Sequence, residues 1–263
     1  MVETDPSRTQ LRSLAMVAAR AGGAAAMRHF RRPDLQVENK HDDSPVTVAD
    51  REAEAAIAAV LRAARPADAW LGEETGAGVG TSPYTWIVDP IDGTRNFVRG
   101  IPLWGVLVAC EHVEHGVVAA AVGIPGLDEW YDAELGGGAR LNGAAIHVSG
   151  IPALAGSLFC FESPAWFSRN RLDGCFRELC ETTALQRGIC DAYGHMLVAT
   201  GRAELVVEPQ LKVWDVAATS LVVREAGGRF SDLTGAPSIR SDNAVLSNGR
   251  VHDAALALIA RHR

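Results

Sequence analysis

The stretch Trp86-Ile87-Val88-Asp89-Pro90-Ile91-Asp92-Gly93-Thr94 sets two carboxylates at the end of an apolar run. A strand ending at Asp89 would deliver that side chain to the rim of a sheet. Pro90 removes a backbone donor and stiffens the exit. Asp92 then brings a second acid back, and Gly93 lets the backbone turn tightly. Carboxylates presented this way can share one hard cation or bracket two, and magnesium takes oxygen ligands while keeping several waters. The amides after Asp92, at the start of a short helix, point outward and can hold a phosphate. Glu73, in Leu71-Gly72-Glu73-Glu74, and Asp215, in Trp214-Asp215, place further acids after apolar residues. Taken singly these features are weak. A D-x-x-D pair is most often a capped turn, an Asp at a helix start is most often a cap, and Thr94 in a turn can bond its own backbone.

The elements that must position these acids follow from patterning. Asp5-Pro6 is a helix start, and Leu11, Leu14, Val17, Ala18, Ala21 and Ala25 recur at helical spacing until the signal fades near 31–33. Residues 37–43 read as a polar loop or hairpin. Thr47 caps a second helix that buries Ala53, Ala56, Ile57, Val60 and Leu61 and stops at Pro66. Residues 103–111 and 117–124 form an antiparallel hairpin, with further strands expected at 130–133 and 145–149. Beyond residue 150 strands and helices alternate: strand 158–161, helix 168–183, helix 192–200, strand 203–207, helix 214–226, strands 229–232 and 244–247, and helix 251–261. This predicts a layered α+β or α/β fold. Its N-terminal α+β part, residues 1–150, holds most of the acids, and a C-terminal α/β part, residues 151–263, completes the site.

A formal net charge of −7 argues against a non-specific nucleic-acid or anionic-membrane binder, since both attract basic surfaces. It leaves room for an anionic substrate, because bound cations invert the sign of a local site. No apolar run approaches the ~20 residues of a membrane span. The acidic, polar N-terminus does not read as a signal peptide. The cysteines Cys110, Cys160, Cys175, Cys180 and Cys190 are odd in number and show no metal-type spacing. They read as free thiols of a reducing compartment, so the expected location is cytoplasmic.

In combination the motifs say more. Gly72-Glu73-Glu74, Asp89-Pro90-Ile91-Asp92-Gly93-Thr94 and Trp214-Asp215-Val216-Ala217-Ala218 resemble the inositol monophosphatase family. The similarity extends through Ser44-Pro45-Val46-Thr47-Val48-Ala49-Asp50, Gly138-Ala139-Arg140-Leu141-Asn142-Gly143, Ala199-Thr200-Gly201-Arg202-Ala203-Glu204 and Glu225-Ala226-Gly227-Gly228. The resemblance implies an αβαβα sandwich, a homodimer, and a magnesium-dependent phosphatase for a small soluble phosphate monoester. Glu73, Asp89 and the Ile91 carbonyl would hold one Mg2+. Asp89, Asp92 and Asp215 would hold a second, with Glu73 helping a third. Asp50 and Thr94 match the pair that activates the attacking water, and the Gly93 and Thr94 amides match the phosphate cradle.

Substrate choice falls to the other side of the cleft, where the resemblance places Asp191 and Glu208. Val98-Arg99-Gly100-Ile101-Pro102-Leu103-Trp104, Asp191-Ala192-Tyr193-Gly194 and Glu208-Pro209-Gln210 are similar to the branch that dephosphorylates histidinol phosphate in histidine biosynthesis. Two carboxylates can bind an ammonium or imidazolium through charge-assisted hydrogen bonds, or sugar hydroxyls instead. Inositol-1-phosphate and fructose-1,6-bisphosphate therefore stay open as substrates. A non-catalytic regulatory interaction protein is the reading from another class. Lys212 is a cation that could approach the substrate, and the 40–43 loop matches a catalytic loop. His195 reads as a packed or surface residue, and Arg95 and Arg99 as surface charges.

Overall fold

The computed structural model describes residues 6–39, 45–189 and 191–263. The expected catalytic loop at 40–43 and Cys190 lie outside them. Helix α1 (Arg8–Met27) is capped by Ser7, through a reciprocal capping box with Gln10; Asp5, where the helix start was expected, lies outside the described residues. Thr47 caps α2 (Val48–Ala64) as its type predicts. The short α3 (Thr94–Val98) follows the central strand of the large sheet. In the second half come α4 (Pro164–Arg169), α5 (Asp173–Thr182), α6 (Asp191–Ala199), α7 (Val213–Glu225) and α8 (His252–Ala260). One helix expected over 168–183 is thus two. The chain breaks between α4 and α5, where Arg171 takes a left-handed φ of 59°, which a continuous helix excludes.

An eight-stranded sheet runs in the spatial order Ala144–Ala145, Gly138–Leu141, Glu129–Glu134, Gly116–Ile124, Gly105–His112, Tyr84–Asp92, Ala69–Gly72, Gly76–Gly78. Its pairs are antiparallel except that between Ala69–Gly72 and Tyr84–Asp92, which is parallel. The strand expected at 145–149 is only a two-residue edge, because the chain leaves the sheet after Ala145. A five-stranded sheet has the order Leu185–Arg187, Leu158–Cys160, Leu205–Glu208, Ala244–Ser247, Arg229–Ser231. Its first three strands are parallel and the other pairs antiparallel.

The two-residue alternation of strands decides the layering. In the large sheet Trp86, Val88, Val106 and Val108 face α1 and α2, whereas Ile87, Leu107, Ala109 and Val122 face α6 and α7. In the small sheet Val206, Ala244 and Leu246 join that same middle core, while Leu205, Val207 and Val245 turn outward to α5 and α8. The result is five layers, helices and sheets alternating, with α6 and α7 in the centre. Helix α7 buries Val216, Ala217, Ala218, Leu221, Val222 and Val223, and apolar residues on all sides are what a helix between two sheets requires. Small residues let α1 approach its neighbours: a Cβ at Gly22 would stand 2.6 Å from Ile57 Cδ1.

Among the described residues no helix is long and apolar enough to cross a membrane. Cys110, Cys160, Cys175 and Cys180 are free thiols, and burial pushes those of Cys160 and Cys175 up to about 12.

Behind the small sheet, buried His252 sits between two serines at 2.9 Å each. Ser231 gives its own proton to the Asp232 carbonyl, so it accepts from Nε2–H, and Ser247 donates to Nδ1. Burial, helped by nearby Arg229, lowers the His252 pKa to about 4. The unfolded chain would protonate near 6.5. This contribution to stability is therefore complete above about 6.5 and is lost as pH falls toward about 4. Thermal unfolding of wild type is expected to fall more steeply between pH 7 and pH 5 than that of His252→Asn. Equal slopes would show that His252 does not titrate with folding.

Candidate active site

The strand Tyr84–Asp92 runs past Asp89, where it was expected to end, and its pairing with Gly105–His112 shifts register between Asp89 and Asp92. Pro90, which cannot donate to a ladder, sits in that irregularity. Asp89 Oδ1 accepts the Ile91 amide at 3.0 Å, which fixes the turn. Gly93 follows in a left-handed conformation, φ 79°, and a Cβ there would also lie 2.9 Å from Asp191 Oδ2. Both conditions demand glycine. Helix α3 is then pinned by Phe97, whose ring meets Trp104 edge-on at 4.9 Å, with Phe30 at 5.5 Å from each.

Asp215 enters from the first turn of α7, where Oδ2 accepts the Lys212 amide at 2.6 Å. One carboxylate oxygen from each of Asp89, Asp92 and Asp215 lies within 4.8 Å of the others. Glu73 stands at the end of the neighbouring parallel strand, its amide bonded to the Val88 carbonyl at 3.1 Å. Burial is the largest force raising the pKa of Asp89, followed by the charges of Glu73, Asp92 and Asp215. Asp92 is raised likewise by burial, then by Asp191 and Asp215. Burial and the charge of Glu73 push Asp215 up to about 7, against the lowering effect of the Lys212 amide. The strongest charges acting on Asp89 and Asp92 are thus of their own sign. Converging, desolvated oxygen donors of one sign are a set that a hard divalent cation fits.

Asp50, fully buried on α2, spends Oδ2 on the cap, accepting from the Thr47 amide at 2.8 Å and its hydroxyl at 2.7 Å. Oδ1 is left facing Thr94 Oγ1 at 3.3 Å, and Thr94 also reaches the Ile91 carbonyl at 2.9 Å. One residue type thus serves the helix cap and the site. Burial, then the charge of Glu73, raises the Asp50 pKa against its bonds from Thr47.

The acids open onto a cleft of about 750 Å³. Glu73, Asp89, Ile91, Asp92, Gly93, Thr94, Asp191 and Asp215 line it. Asp191 begins α6 with a left-handed φ of 52°, and the next amide, Ala192, donates to Asp92 Oδ2. Burial, then the charges of Glu162 and Glu208, pushes Asp191 up to about 8. Glu208 ends its strand 6% exposed and lines a narrow crevice beside the cleft, not the cleft itself. His195, read as packed, is indeed buried, with Nδ1 2.9 Å from Thr219 Oγ1 and Nε2 3.1 Å from Glu208 Oε2. The Nε2 contact does not have the geometry of a hydrogen bond. Lys212 lines the cleft, and so does Arg95, which the sequence reading had placed among surface charges; Arg99 does not.

Two supporting side chains escaped the sequence reading. Glu54, one helical turn after Asp50 and 1% exposed, accepts the Glu74 amide at 2.8 Å, the Thr75 amide at 3.0 Å and the Thr75 hydroxyl. It thereby clamps the turn that presents Glu73. Asn96 Nδ2 donates to Asp191 Oδ2 at 3.2 Å and to the Leu103 carbonyl at 2.8 Å. The i, i+4 spacing of Asp50 and Glu54 was the signal available for the first; Asn96 had none.

Comparison with known proteins agrees with this geometry. A histidinol-phosphatase of Streptomyces coelicolor is 42% identical, over 94% of this chain and 95% of its own. The Nus factor SuhB of Pseudomonas aeruginosa is 36% identical, over 95% and 96%. A crystal structure of the extragenic suppressor protein SuhB from Bartonella henselae superposes with a TM-score of 0.90 at 30% identity, covering 97% of this chain and 100% of that one. The model of the inositol monophosphatase family matches residues 7–263. With its five layers, its converging acids and a match over nearly its whole length, the chain belongs to the inositol monophosphatase family.

Proposed function

We propose that this chain hydrolyses histidinol phosphate, with magnesium as its resident metal. As a member of its family it is a phosphoric monoester hydrolase for a small phosphorylated substrate. The observation that carries the narrower reading is that the site holds carboxylates beyond the three that converge. Asp89, Asp92 and Asp215 meet within 4.8 Å, Asp191 lines the same cleft beside Asp92 and Gly93, and Glu208 lines the adjoining crevice. The three repel a phosphate until a cation occupies them. The remaining negative charge suits the ammonium and imidazole of histidinol phosphate, which carboxylates bind through charge-assisted hydrogen bonds. The name of the Streptomyces coelicolor relative supports the same substrate.

Glu73, Asp89, the Ile91 carbonyl, Asp92 and Asp215 would hold Mg2+, which neutralises phosphate charge and acidifies water. The chain's own residues do the rest. The Gly93 and Thr94 amides, at the start of α3, orient the phosphate oxygens. Thr94 Oγ1 accepts from the attacking water while its own proton points to Asp50 Oδ1. Asp50 cannot turn away, because Thr47 holds its other oxygen twice. Asp191, fixed by Asn96, receives the cationic half of the substrate, and Glu208, closed into the adjoining crevice beside His195, adds negative charge behind it.

Phosphate release with magnesium from histidinol phosphate, inositol-1-phosphate and fructose-1,6-bisphosphate tests the reading. Histidinol phosphate is expected to lead by ~100-fold or more in kcat/KM, about 2.7 kcal/mol of discrimination. A flat profile, or a lead for the polyols, sinks the substrate assignment and leaves the metal site standing.

A further inference from the structure

The cleft holds a further carboxylate that no sequence motif singled out. Glu162 lies just after the strand Leu158–Cys160 of the small sheet, immediately before Ser163, the N-cap of α4. It lines the main cleft together with Asp191 and Trp166, and it also lines the crevice that contains Glu208. It is thus the carboxylate shared by both spaces. The three acids differ in how far their oxygens are already committed. Glu208 is 6% exposed, closed into the crevice, and set against His195 at 3.1 Å. Asp191 accepts from Asn96 and borders Asp92 through the Ala192 amide. Glu162 is exposed at the cleft surface.

Trp166 lines both spaces beside Glu162, and the Arg169 guanidinium lies 4.6 Å from the centroid of its ring. An exposed carboxylate at the cleft surface binds a cation through charge-assisted hydrogen bonds, which are stronger than those it can accept from the hydroxyls of a neutral polyol. It also repels a second phosphate, whose charge has the wrong sign.

We propose that Glu162 is a specificity-determining residue that receives a cationic group of the substrate at the cleft surface. The role rests on the histidinol phosphate reading, and it adds to that reading a residue and a direction: phosphate toward Asp89, Asp92 and Asp215, cation toward Glu162. Discrimination against anionic and neutral esters is then built into the segment between the small sheet and α4, away from the catalytic acids.

The test is the kinetics of Glu162→Gln and Glu162→Asp on histidinol phosphate, inositol-1-phosphate, fructose-1,6-bisphosphate and 4-nitrophenyl phosphate. For Glu162→Gln the KM for histidinol phosphate is expected to rise about tenfold with kcat within about twofold, the signature of lost ground-state binding. The KM for fructose-1,6-bisphosphate is expected to fall, because a repelling charge has gone. Glu162→Asp, which keeps the charge, should recover part of the histidinol phosphate affinity. A change of the same size and sign on every substrate, or no change on any, overturns the proposal. The wild-type panel separates the two failures. If wild type prefers histidinol phosphate and Glu162→Gln keeps that preference, only the role of Glu162 falls. If wild type shows no preference, the substrate reading falls and this role goes with it. Thermal unfolding of both variants excludes a folding defect as the cause of any loss.

Discussion

Asp92→Asn is expected to lower kcat/KM by about a thousandfold or more while leaving thermal stability in the absence of metal equal to wild type or higher. The two halves of that expectation have one cause. Asp92 lies among Asp89, Asp191 and Asp215, buried and repelled by its neighbours. The asparagine Oδ1 can still accept the Ala192 amide, so the bond that ties α6 to the central strand survives. What disappears is one negative charge from a crowded, desolvated group, and its removal relieves repulsion in the empty site. The same charge is what a cation needs, so magnesium affinity falls with activity. Phosphate release at saturating magnesium, magnesium titration by calorimetry, and unfolding in EDTA measure the three parts. Wild-type-like turnover at saturating magnesium would remove Asp92 from the metal assignment. If the chain instead worked as a non-catalytic interaction protein, a pull-down indifferent to Asp92→Asn would reveal it.

Thr94→Ala is expected to reduce kcat by about a hundredfold or more, within the range of proton-transfer catalysis, and Thr94→Ser to keep most of it. The hydroxyl has two acceptors in reach, Asp50 Oδ1 at 3.3 Å and the Ile91 carbonyl at 2.9 Å, but a single proton to give. Its oxygen lone pairs are what an attacking water can use. Alanine deletes them without disturbing Gly93, whose carbonyl accepts the amides of Asn96 and Phe97 that start α3. Serine restores the oxygen. Asp50→Asn probes the other end of the pair. Its side-chain oxygen can still accept the Thr47 N–H, so the cost to stability stays within about 1 kcal/mol, the scale of a cap bond, whereas turnover falls as for Thr94→Ala. Single-turnover kinetics at saturating magnesium separate this from weakened metal binding. A Thr94→Ala enzyme with normal kcat would show that the hydroxyl only closes the turn.

Much of this was legible along the chain because the causes are local. Thr47 caps α2, Gly93 supplies the left-handed turn, and the apolar run into Asp89 forms a central strand. Each depends on a few neighbouring residues. The misplacements were local too. Ser7 caps α1 because Gln10 completes a capping box with it. A left-handed Arg171 split a helix whose apolar spacing looked continuous.

The contacts that escaped notice join residues across the fold. Glu54 reaches a turn 20 residues away, and Asn96 reaches Asp191 over 95. His195 finds Glu208 only because α6 packs against the strand Leu205–Glu208. Glu162 borders the cleft only because the small sheet stacks over α6 and α7. No spacing rule connects such pairs.

By itself, then, the sequence determined which carboxylates could serve a cation and which turns would present them, because strand ends, caps and glycine turns are set by short-range sterics and hydrogen bonding. Only the tertiary structure decided that Asp215, on a helix more than a hundred residues later, converges with Asp89 and Asp92 within 4.8 Å. It also decided that Arg95 faces the cleft while Glu208 sits in the crevice beside it. These outcomes depend on how two sheets close over one helical layer, and that follows from the summed burial of many apolar side chains, to which no single motif contributes enough to be read.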